Sequence, residues 1–432
     1  MMQKIILFIH GWSEDSHCFH ELQQMLFPLD SKKYQINLAD FVTLDDTVKF
    51  TDLVAAMQQA WSKHDLPLNN KNVDVITHST GALVLRAWLR QYYPHGKSPI
   101  ERVVMLAPPN FGSHIAHKGT AFYGRIYKGL NKQNPFEVGE NLLQDLEIGS
   151  EFTQRLAEFD CFGGYSSFQP NDIMVTVLIG GSGYDGFASI ANVPCSDGVV
   201  PIPLAQLEPK KLKIRYDSSD RPCFEIINPT SKVAFKILPS LNHSSILTGV
   251  GEIDFVKILH EALTVSPVEF LAYRKRLMHE NELLNQQDIA QYQKTLVNIT
   301  NQFSESVNEY FIAFAAEYGR FISNMNNFHD DLVKSVHCNT YNSSVRCFTL
   351  NTECLLDSED KIDLSIIAMP CLDKKYSKVG YKAHDVTNSK ALVFTMQEMK
   401  SLLQPYSLLM LDWQVVREFK ESLFRLHVDE SI

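Results

Sequence analysis

The sequence predicts a chain of the α/β class, with a first domain built on a mostly parallel sheet and a β-rich second domain after it. Strand-like and helix-like segments alternate through the first part, which is the pattern of a parallel sheet covered by helices on both faces. The alternation stops after Ser266, where short strand-like runs follow one another with Asn and Ser between them. A chain of 432 residues is also too long for one hydrophobic core, so two domains, 1–265 and 266–432, are expected.

The elements of the first domain are predicted from hydrophobic periodicity. Continuous apolar runs bounded by turn residues predict buried strands, and apolar residues three or four apart predict helices. The predicted strands are Lys4–Ile9, Tyr34–Phe41, Val73–Ile76, Ile100–Ala107, Ile173–Ile179 and Val233–Leu238. The predicted helices are Cys18–Phe27, Thr47–His64, Gly81–Tyr93 and Phe255–Leu263.

Residues 110–170 interrupt the alternation of predicted strands and helices. They are predicted to form a cap over the strand ends, with helices near 123–130 and 141–159. Apolar side chains of this insertion would suit a fatty-acyl chain, although core packing explains them equally well. They are Phe111, Ile115, Phe122, Tyr123, Ile126 and Tyr127.

The second domain begins with a charged helical stretch, residues 268–287, and continues as strand-like runs. The runs are Thr295–Ile299, Tyr310–Ala315, Arg346–Leu350, Asp363–Ala368 and Leu392–Met396. Two of them follow similar Asn-Ser turns that begin at Asn342 and Asn388, which is either a coincidence or a sign of two related β lobes. The apolar end, Leu423–Val428, suits either an edge strand or a tail that docks on a partner or a bilayer.

Composition excludes several classes of protein. The formal charge of -10 argues against nucleic acid as a partner and against purely electrostatic docking on anionic lipid. The eight cysteines form no C-x-x-C pair, which predicts free thiols and synthesis in a reducing compartment, the cytoplasm. The apolar run at the start is too short for a signal peptide, and no run is long enough to span a membrane. Any membrane contact is therefore expected to be peripheral.

A candidate nucleophile lies where the strand Val73–Ile76 meets the next helix, in Thr77-His78-Ser79-Thr80-Gly81. A sharp strand-to-helix turn of this kind lifts a serine hydroxyl above the edge of a sheet, as in the nucleophile elbow of the α/β-hydrolase fold. Gly81 fits because strand and helix approach closely there. The usual glycine two residues before the serine is Thr77, which departs from the general motif. The alternative is a buried serine at a helix cap.

The predicted oxyanion hole uses two backbone N–H groups. His10-Gly11-Trp12 ends the first strand, where a loop of such hydrolases supplies one donor. We favour Trp12 for that donor, with Gly11 as the alternative, and Thr80 for the second donor, because it follows the nucleophile.

The base and the acid are predicted from the chain order Ser, Asp or Glu, then His. His243 follows the last predicted strand, in Asn-His-Ser-Ser, and would take the Ser79 proton. For the acid, the loop after Ile173–Ile179 offers Asp185 and Asp197. We favour Asp197, because it lies in a Ser-Asp-Gly-Val-Val-Pro turn that suits a carboxylate at a strand end, whereas Asp185 resembles an ordinary turn residue. No histidine cluster has the ligand spacing of a metal site, so no metal is predicted.

Together these motifs resemble the bacterial PlaB-type phospholipase A family. The resemblance rests on His10-Gly-Trp, Thr77-His-Ser-Thr-Gly, Ala107-Pro-Pro-Asn-Phe-Gly-Ser, Ser196-Asp-Gly-Val-Val-Pro and Asn242-His-Ser-Ser. Threonine at the first elbow position is a hallmark of that family. The motifs cover residues 1–265, and the second domain is similar in length and character only.

The resemblance implies phospholipase A and lysophospholipase A activity, with Ser79, Asp197 and His243 as the triad and no cofactor needed for catalysis. It also implies peripheral association with a bacterial membrane such as the outer membrane, homo-oligomers (dimers or tetramers), a role in lysis of host membranes, and NAD(H) binding at a subunit contact. The sequence itself has no glycine-rich dinucleotide fingerprint. The competing hypotheses are a neutral lipase, carboxylesterase or thioesterase, because a triad does not distinguish leaving groups, and a membrane-binding scaffold that acts through its second domain.

Overall fold

The computed structural model describes most of the chain. It covers residues 4–11, 17–26, 31–36, 47–114, 140–164, 166–185, 192–219, 221–284, 289–316, 328–355, 361–369, 379–382 and 392–419. Within these residues, no helix is long and apolar enough to cross a membrane.

The described helices and strands are numbered in chain order. The strands are β1 (Lys4–Ile9), β2 (Ser31–Ile36), β3 (Val73–His78), β4 (Ile100–Leu106), β5 (Met174–Gly180), β6 (Lys210–Tyr216), β7 (Pro222–Ile227), β8 (Val233–Leu238), β9 (Tyr292–Asn301), β10 (Glu309–Ala316), β11 (Val333–Cys338), β12 (Val345–Asn351), β13 (Ile362–Met369), β14 (Val379–Tyr381), β15 (Leu392–Phe394), β16 (Leu408–Val415) and β17 (Arg417–Phe419). The helices are α1 (His20–Met25), α2 (Phe50–Lys63), α3 (Gly81–Tyr92), α4 (Glu140–Leu146), α5 (Glu151–Asp160), α6 (Ile202–Ala205), α7 (Phe255–Thr264), α8 (Phe270–Glu282) and α9 (Met396–Leu402).

The first compact unit contains a six-stranded sheet in the order β2-β1-β3-β4-β5-β8, and every pairing in it is parallel. Strands β3 and β5 are buried along their whole length, because helices cover both faces of a parallel sheet. The sheet and its helices confirm the predicted α/β class. The strand order reverses between β1 and β3, and in sheets of this kind the carboxyl ends of the strands at such a point form a crevice for ligands.

The second compact unit is a β-rich body with two main sheets around one core. A six-stranded sheet has the order β11-β12-β9-β16-β6-β7, and a three-stranded antiparallel sheet has the order β10-β13-β15. Their inner faces share one apolar cluster, to which Trp413 and Phe348 contribute from the first sheet and Phe314 and Phe394 from the second. The strand-like runs that follow Asn342 and Asn388 in the sequence form β12 and β15, which lie in different sheets of the same core.

The division of the chain differs from a single boundary after residue 265. Residues 210–227 belong to the second unit, and residues 228–292 belong to the first. The hairpin β6-β7 leaves the first unit because β6 pairs in parallel with β16. Helix α8 stays with the first unit because the Asn281 side chain holds β8: its Oδ1 accepts from the Ile237 N–H at 3.0 Å, and its Nδ2 donates to the Phe235 carbonyl at 2.8 Å.

Candidate active site

Ser79 lies in the turn between β3 and α3, at the end of the sheet where the strand order reverses. Its φ of 51° falls in the left-handed region, which a non-glycine residue adopts only under local constraint. The Ser79 N–H donates to the Leu106 carbonyl at 3.0 Å and so ties the turn to β4. The strained backbone and the strand–turn–helix context are those of a nucleophile elbow.

Gly81 and Gly11 make room for this turn. A Cβ on Gly81 would lie 2.5 Å from the Ile9 carbonyl oxygen, which is too close for any side chain. A Cβ on Gly11 would lie 2.8 Å from the Ser79 Cβ. Both glycines are therefore required by close backbone approach between the end of β1 and the elbow.

Thr77 occupies the position where the general motif has glycine. It is fully buried at the end of β3, and left-handed backbone begins only at Ser79. Its hydroxyl has no hydrogen-bond partner among the described residues. The β-branched side chain is accommodated here because Thr77 still has strand geometry.

His243 lies in the turn after β8 and is fully buried. The Asn242 side chain shapes this turn by accepting from the N–H groups of Ser244 and Ser245 at 3.1 and 2.8 Å. The N–H of His243 donates to the Asp197 carbonyl at 2.9 Å, which joins the histidine turn to the aspartate turn.

Asp197 lies in a tight turn in which Ser196 pairs with Pro201 and Gly198 has a φ of 92°. Its Oδ1 accepts from the N–H groups of Val199 and Val200 at 2.9 and 2.7 Å. These two bonds orient the other oxygen, Oδ2, toward His243. The alternative acid, Asp185, is exposed in the loop that follows β5.

The structure brings Ser79, His243 and Asp197 into one hydrogen-bonded line. His243 Nδ1 lies 2.8 Å from Asp197 Oδ2, and His243 Nε2 lies 3.1 Å from Ser79 Oγ. Because a carboxylate oxygen can only accept, Nδ1 carries the hydrogen, and Nε2 can then accept the hydroxyl hydrogen of Ser79. This arrangement can carry out nucleophilic acyl transfer.

Two of the three predicted oxyanion donors lie within the described residues. The Thr80 and Gly11 N–H groups flank the Ser79 turn, and neither has an acceptor in the described part of the chain. Trp12 lies outside the described residues. The described geometry therefore supplies candidate donors from Thr80 and Gly11.

A buried network supports the turn that follows β4 and was not predicted from the sequence. The guanidinium of Arg86 pairs with both carboxylate oxygens of Asp160 at 2.6 and 3.1 Å and donates to the Asn110 carbonyl at 2.8 Å. The Ser113 hydroxyl then donates to the Val199 carbonyl at 2.6 Å, beside the acid. The sequence signal was Asn110 and Ser113 within the Pro-Pro-Asn-Phe-Gly-Ser motif, but their partners are distant in the chain.

The predicted cap is described in part. Two helices, α4 and α5, occupy the place of the single helix predicted near 141–159. Residues 115–139 lie outside the described residues, as do the candidate acyl-site residues among them. Phe111 is fully buried, and its ring lies 6.0 Å from the Arg86 guanidinium. For Phe111, core packing is therefore the explanation.

Two buried thiols are poor alternative nucleophiles. Burial raises the pKa of the Cys161 thiol well above its ordinary value, and the neighbouring Asp160 raises it further. Burial also raises the pKa of Cys347 to about 11. Since the thiolate is the reactive form, both cysteines are expected to be inert at neutral pH.

The sheet order, the elbow and the hydrogen-bonded line define the class: the first unit has the α/β-hydrolase fold. A family model described as a domain of unknown function, DUF7379, matches residues 1–121. A search of curated proteins finds no match.

Among solved structures, phospholipase PlaB from Legionella pneumophila is similar over 100% of this chain and 97% of its own, with 20% sequence identity and a TM-score of 0.81. The complex of the same phospholipase with thio-NAD gives a TM-score of 0.80 at 20% identity, over 99% of this chain and 97% of the other. Bacillus licheniformis lipase BlEst2 in its mature form has a TM-score of only 0.38 at 16% identity, over 60% of this chain and 92% of its own, which is too low to bear on the fold. The chain thus shares the fold of this phospholipase, as the resemblance in the motifs led us to expect.

Proposed function

We propose that the protein is a serine hydrolase that cleaves the fatty-acyl esters of phospholipids and lysophospholipids through an acyl-enzyme. The observation that carries the proposal is the continuous line Ser79–His243–Asp197 above the sheet of an α/β-hydrolase fold. The whole-length similarity to a phospholipase supports a phospholipid rather than another ester as the substrate.

In the first half of the reaction, Ser79 Oγ attacks the ester carbonyl while His243 Nε2 takes the hydroxyl proton. The carbonyl oxygen becomes an oxyanion, for which the N–H of Thr80 and that of Gly11 or Trp12 are the proposed donors. Collapse of this intermediate breaks the ester bond, and His243 returns the proton to the leaving alcohol of the lysolipid or glycerophospho product. The fatty acid remains esterified to Ser79.

In the second half, water replaces the alcohol. His243 Nε2 takes a proton from the water as its oxygen attacks the acyl-serine carbonyl, and then returns a proton to Ser79 Oγ as the fatty acid leaves. Asp197 stays ionised throughout, fixes Nδ1–H of His243 and stabilises the imidazolium. No step needs a metal or cofactor.

A lipid panel tests both the chemistry and the substrate class. Fatty-acid release from phosphatidylcholine, lysophosphatidylcholine, triacylglycerol and acyl-coenzyme A is compared for the wild-type chain and Ser79→Ala. We expect the two phospholipids to be preferred and the variant to lose about 10³-fold or more of the activity. A preference for triacylglycerol or the thioester would favour a lipase or thioesterase instead. Membrane lysis retained by Ser79→Ala would favour a scaffold that acts through the second domain.

We further propose peripheral membrane association and homo-oligomers for the whole chain, on the strength of the PlaB similarity. NAD(H) is proposed only as a ligand at a contact between copies. The sequence after β1 lacks the glycine-rich fingerprint of a dinucleotide site, and Gly11 closely approaches Ser79. Binding of thio-NAD to the purified oligomer, measured by calorimetry, tests this separately from activity.

A further inference from the structure

His78 directly precedes the nucleophile, but the mechanism above gives it no role. It ends β3 and is fully buried. Its Nε2 lies 2.9 Å from the carbonyl oxygen of His243, and the two imidazole rings are 4.9 Å apart at an angle of 53°. Because a carbonyl oxygen can only accept, Nε2 of His78 carries a hydrogen and donates it.

The backbone of His243 is thereby held on both sides. Its N–H donates to the carbonyl of Asp197 at 2.9 Å, and its carbonyl accepts from His78 at 2.9 Å. The three triad segments are thus joined twice, once through the side chains that move protons and once through the backbone of the base.

Other hydrogen bonds of the turn around His243 either stay within the turn or reach the loop after β5. The Asn242 side chain accepts from N–H groups two and three residues away, and the backbone N–H of Asn242 donates to the Ser245 hydroxyl, so these bonds shape the turn locally. The Leu241 carbonyl accepts from the N–H of Ser182 at 2.9 Å, and the Ser244 hydroxyl lies 3.0 Å from the Tyr184 hydroxyl, so both bonds join the loop after β5. The bond from His78 joins this turn to β3, the strand that leads directly into Ser79.

We propose that His78 is a positioning residue for the base. Its Nε2–H fixes the His243 carbonyl and its ring supports the His243 imidazole, so that His243 Nε2 stays 3.1 Å from Ser79 Oγ. This role rests on the proposed hydrolase function. It follows from the sensitivity of proton transfer to distance, since a displacement of about 1 Å can cost about 10²-fold in rate.

Three substitutions separate the donor from the ring. His78→Phe keeps a ring and removes the donor, His78→Gln keeps an amide donor near the position of Nε2, and His78→Asn has a donor too short to reach. With p-nitrophenyl butyrate as a soluble probe, we expect His78→Phe and His78→Asn to lower kcat by about 10- to 100-fold, with KM changed less than about threefold. We expect His78→Gln to recover most of kcat, and the Gln–Asn comparison decides the matter if His78→Phe does not fold.

The pH profile gives a readout that a purely structural role would not move. The acidic limb of kcat/KM reports the ionisation of the base in the free enzyme. A His243 that has shifted away from Asp197 loses stabilisation of its imidazolium, so the apparent pKa of this limb should fall in His78→Phe and return in His78→Gln. Simple loss of folded protein lowers the whole profile without shifting it.

Val75→Ala is the matched control, because Val75 is a fully buried residue of the same strand. At equal loss of thermal stability it should keep its kcat and its pH profile. The proposal is overturned if all His78 variants keep wild-type kcat, if Gln and Asn behave alike, or if Val75→Ala reproduces their kinetics. A wild-type chain whose activity does not depend on Ser79 would instead overturn the proposed function itself.

Discussion

Asp197→Asn tests the triad most directly, because the surroundings of the carboxylate decide how an amide must sit. Oδ1 accepts from the N–H groups of Val199 and Val200 at 2.9 and 2.7 Å, while Oδ2 faces His243 Nδ1 at 2.8 Å. In the variant the amide oxygen must stay with the two N–H donors. The reverse orientation would leave both donors unpaired in a buried site, at about 1–3 kcal/mol each.

The amide NH2 therefore faces His243 Nδ1. Nδ1 must then accept, so the hydrogen moves to Nε2, and His243 can no longer take the proton of Ser79. A wrong tautomer of this kind costs about 10⁴-fold in kcat, and at about 1.36 kcal/mol per tenfold this corresponds to about 5.4 kcal/mol of transition-state stabilisation. The fold should be kept, because the amide and the carboxylate have nearly the same shape.

The assay is hydrolysis of p-nitrophenyl butyrate, with thermal unfolding measured on the same samples. Asp185→Asn is the matched control, since Asp185 is exposed on the loop after β5 and should leave kcat unchanged. More than about 1% of wild-type kcat in folded Asp197→Asn would refute the tautomer argument, because it would be a loss of less than 10²-fold against the expected 10⁴-fold. A large loss of kcat in Asp185→Asn would indicate instead that Asp185 is the acid.

Three further substitutions test the nucleophile turn and the strand β3 that leads into it. Thr77→Val should raise the free energy of unfolding by about 1 kcal/mol, because it removes a buried hydroxyl that lacks a partner among the described residues. A lower free energy of unfolding in urea titrations would instead show that the hydroxyl is hydrogen-bonded. Gly81→Ala should cost about 1–3 kcal/mol or more and lower kcat in the folded fraction, since its Cβ would lie 2.5 Å from the Ile9 carbonyl; unchanged stability and kcat would contradict this. Burial raises the pKa of Asp74 from 3.8 to about 6, against the opposing effect of Lys4. Because the folded state holds this proton more tightly, the contribution of Asp74 to the free energy of unfolding is full below about pH 4 and falls by about 3 kcal/mol as pH rises through 6. The difference in the free energy of unfolding between wild type and Asp74→Asn, measured by urea titration, should change by that amount over this range. A pH-independent difference would argue against the raised pKa.

Local sequence patterns predicted much of the fold and of the candidate site. Apolar runs such as Ile5–Ile9 and Val73–Ile76 predict buried strands because a strand covered on both faces has no polar side to present. The chemistry-bearing motifs follow strand ends, and the carboxyl ends of parallel strands share one edge of the sheet. Ser79 and His243 could therefore be selected together, although they are 164 residues apart in sequence.

Long-range pairing could not be read from the same patterns. Hydrophobic periodicity reports that a segment is buried but not which segment covers it, so only the tertiary structure assigned the hairpin 210–227 to the sheet of the second unit. The same limit applied to His78, whose partner is the backbone carbonyl of His243 and leaves no side-chain signature. The sequence by itself determined the class of fold and the residue types of the site. The tertiary structure decided their partners, because hydrogen bonds between distant backbone and side-chain groups depend on how the strands come together.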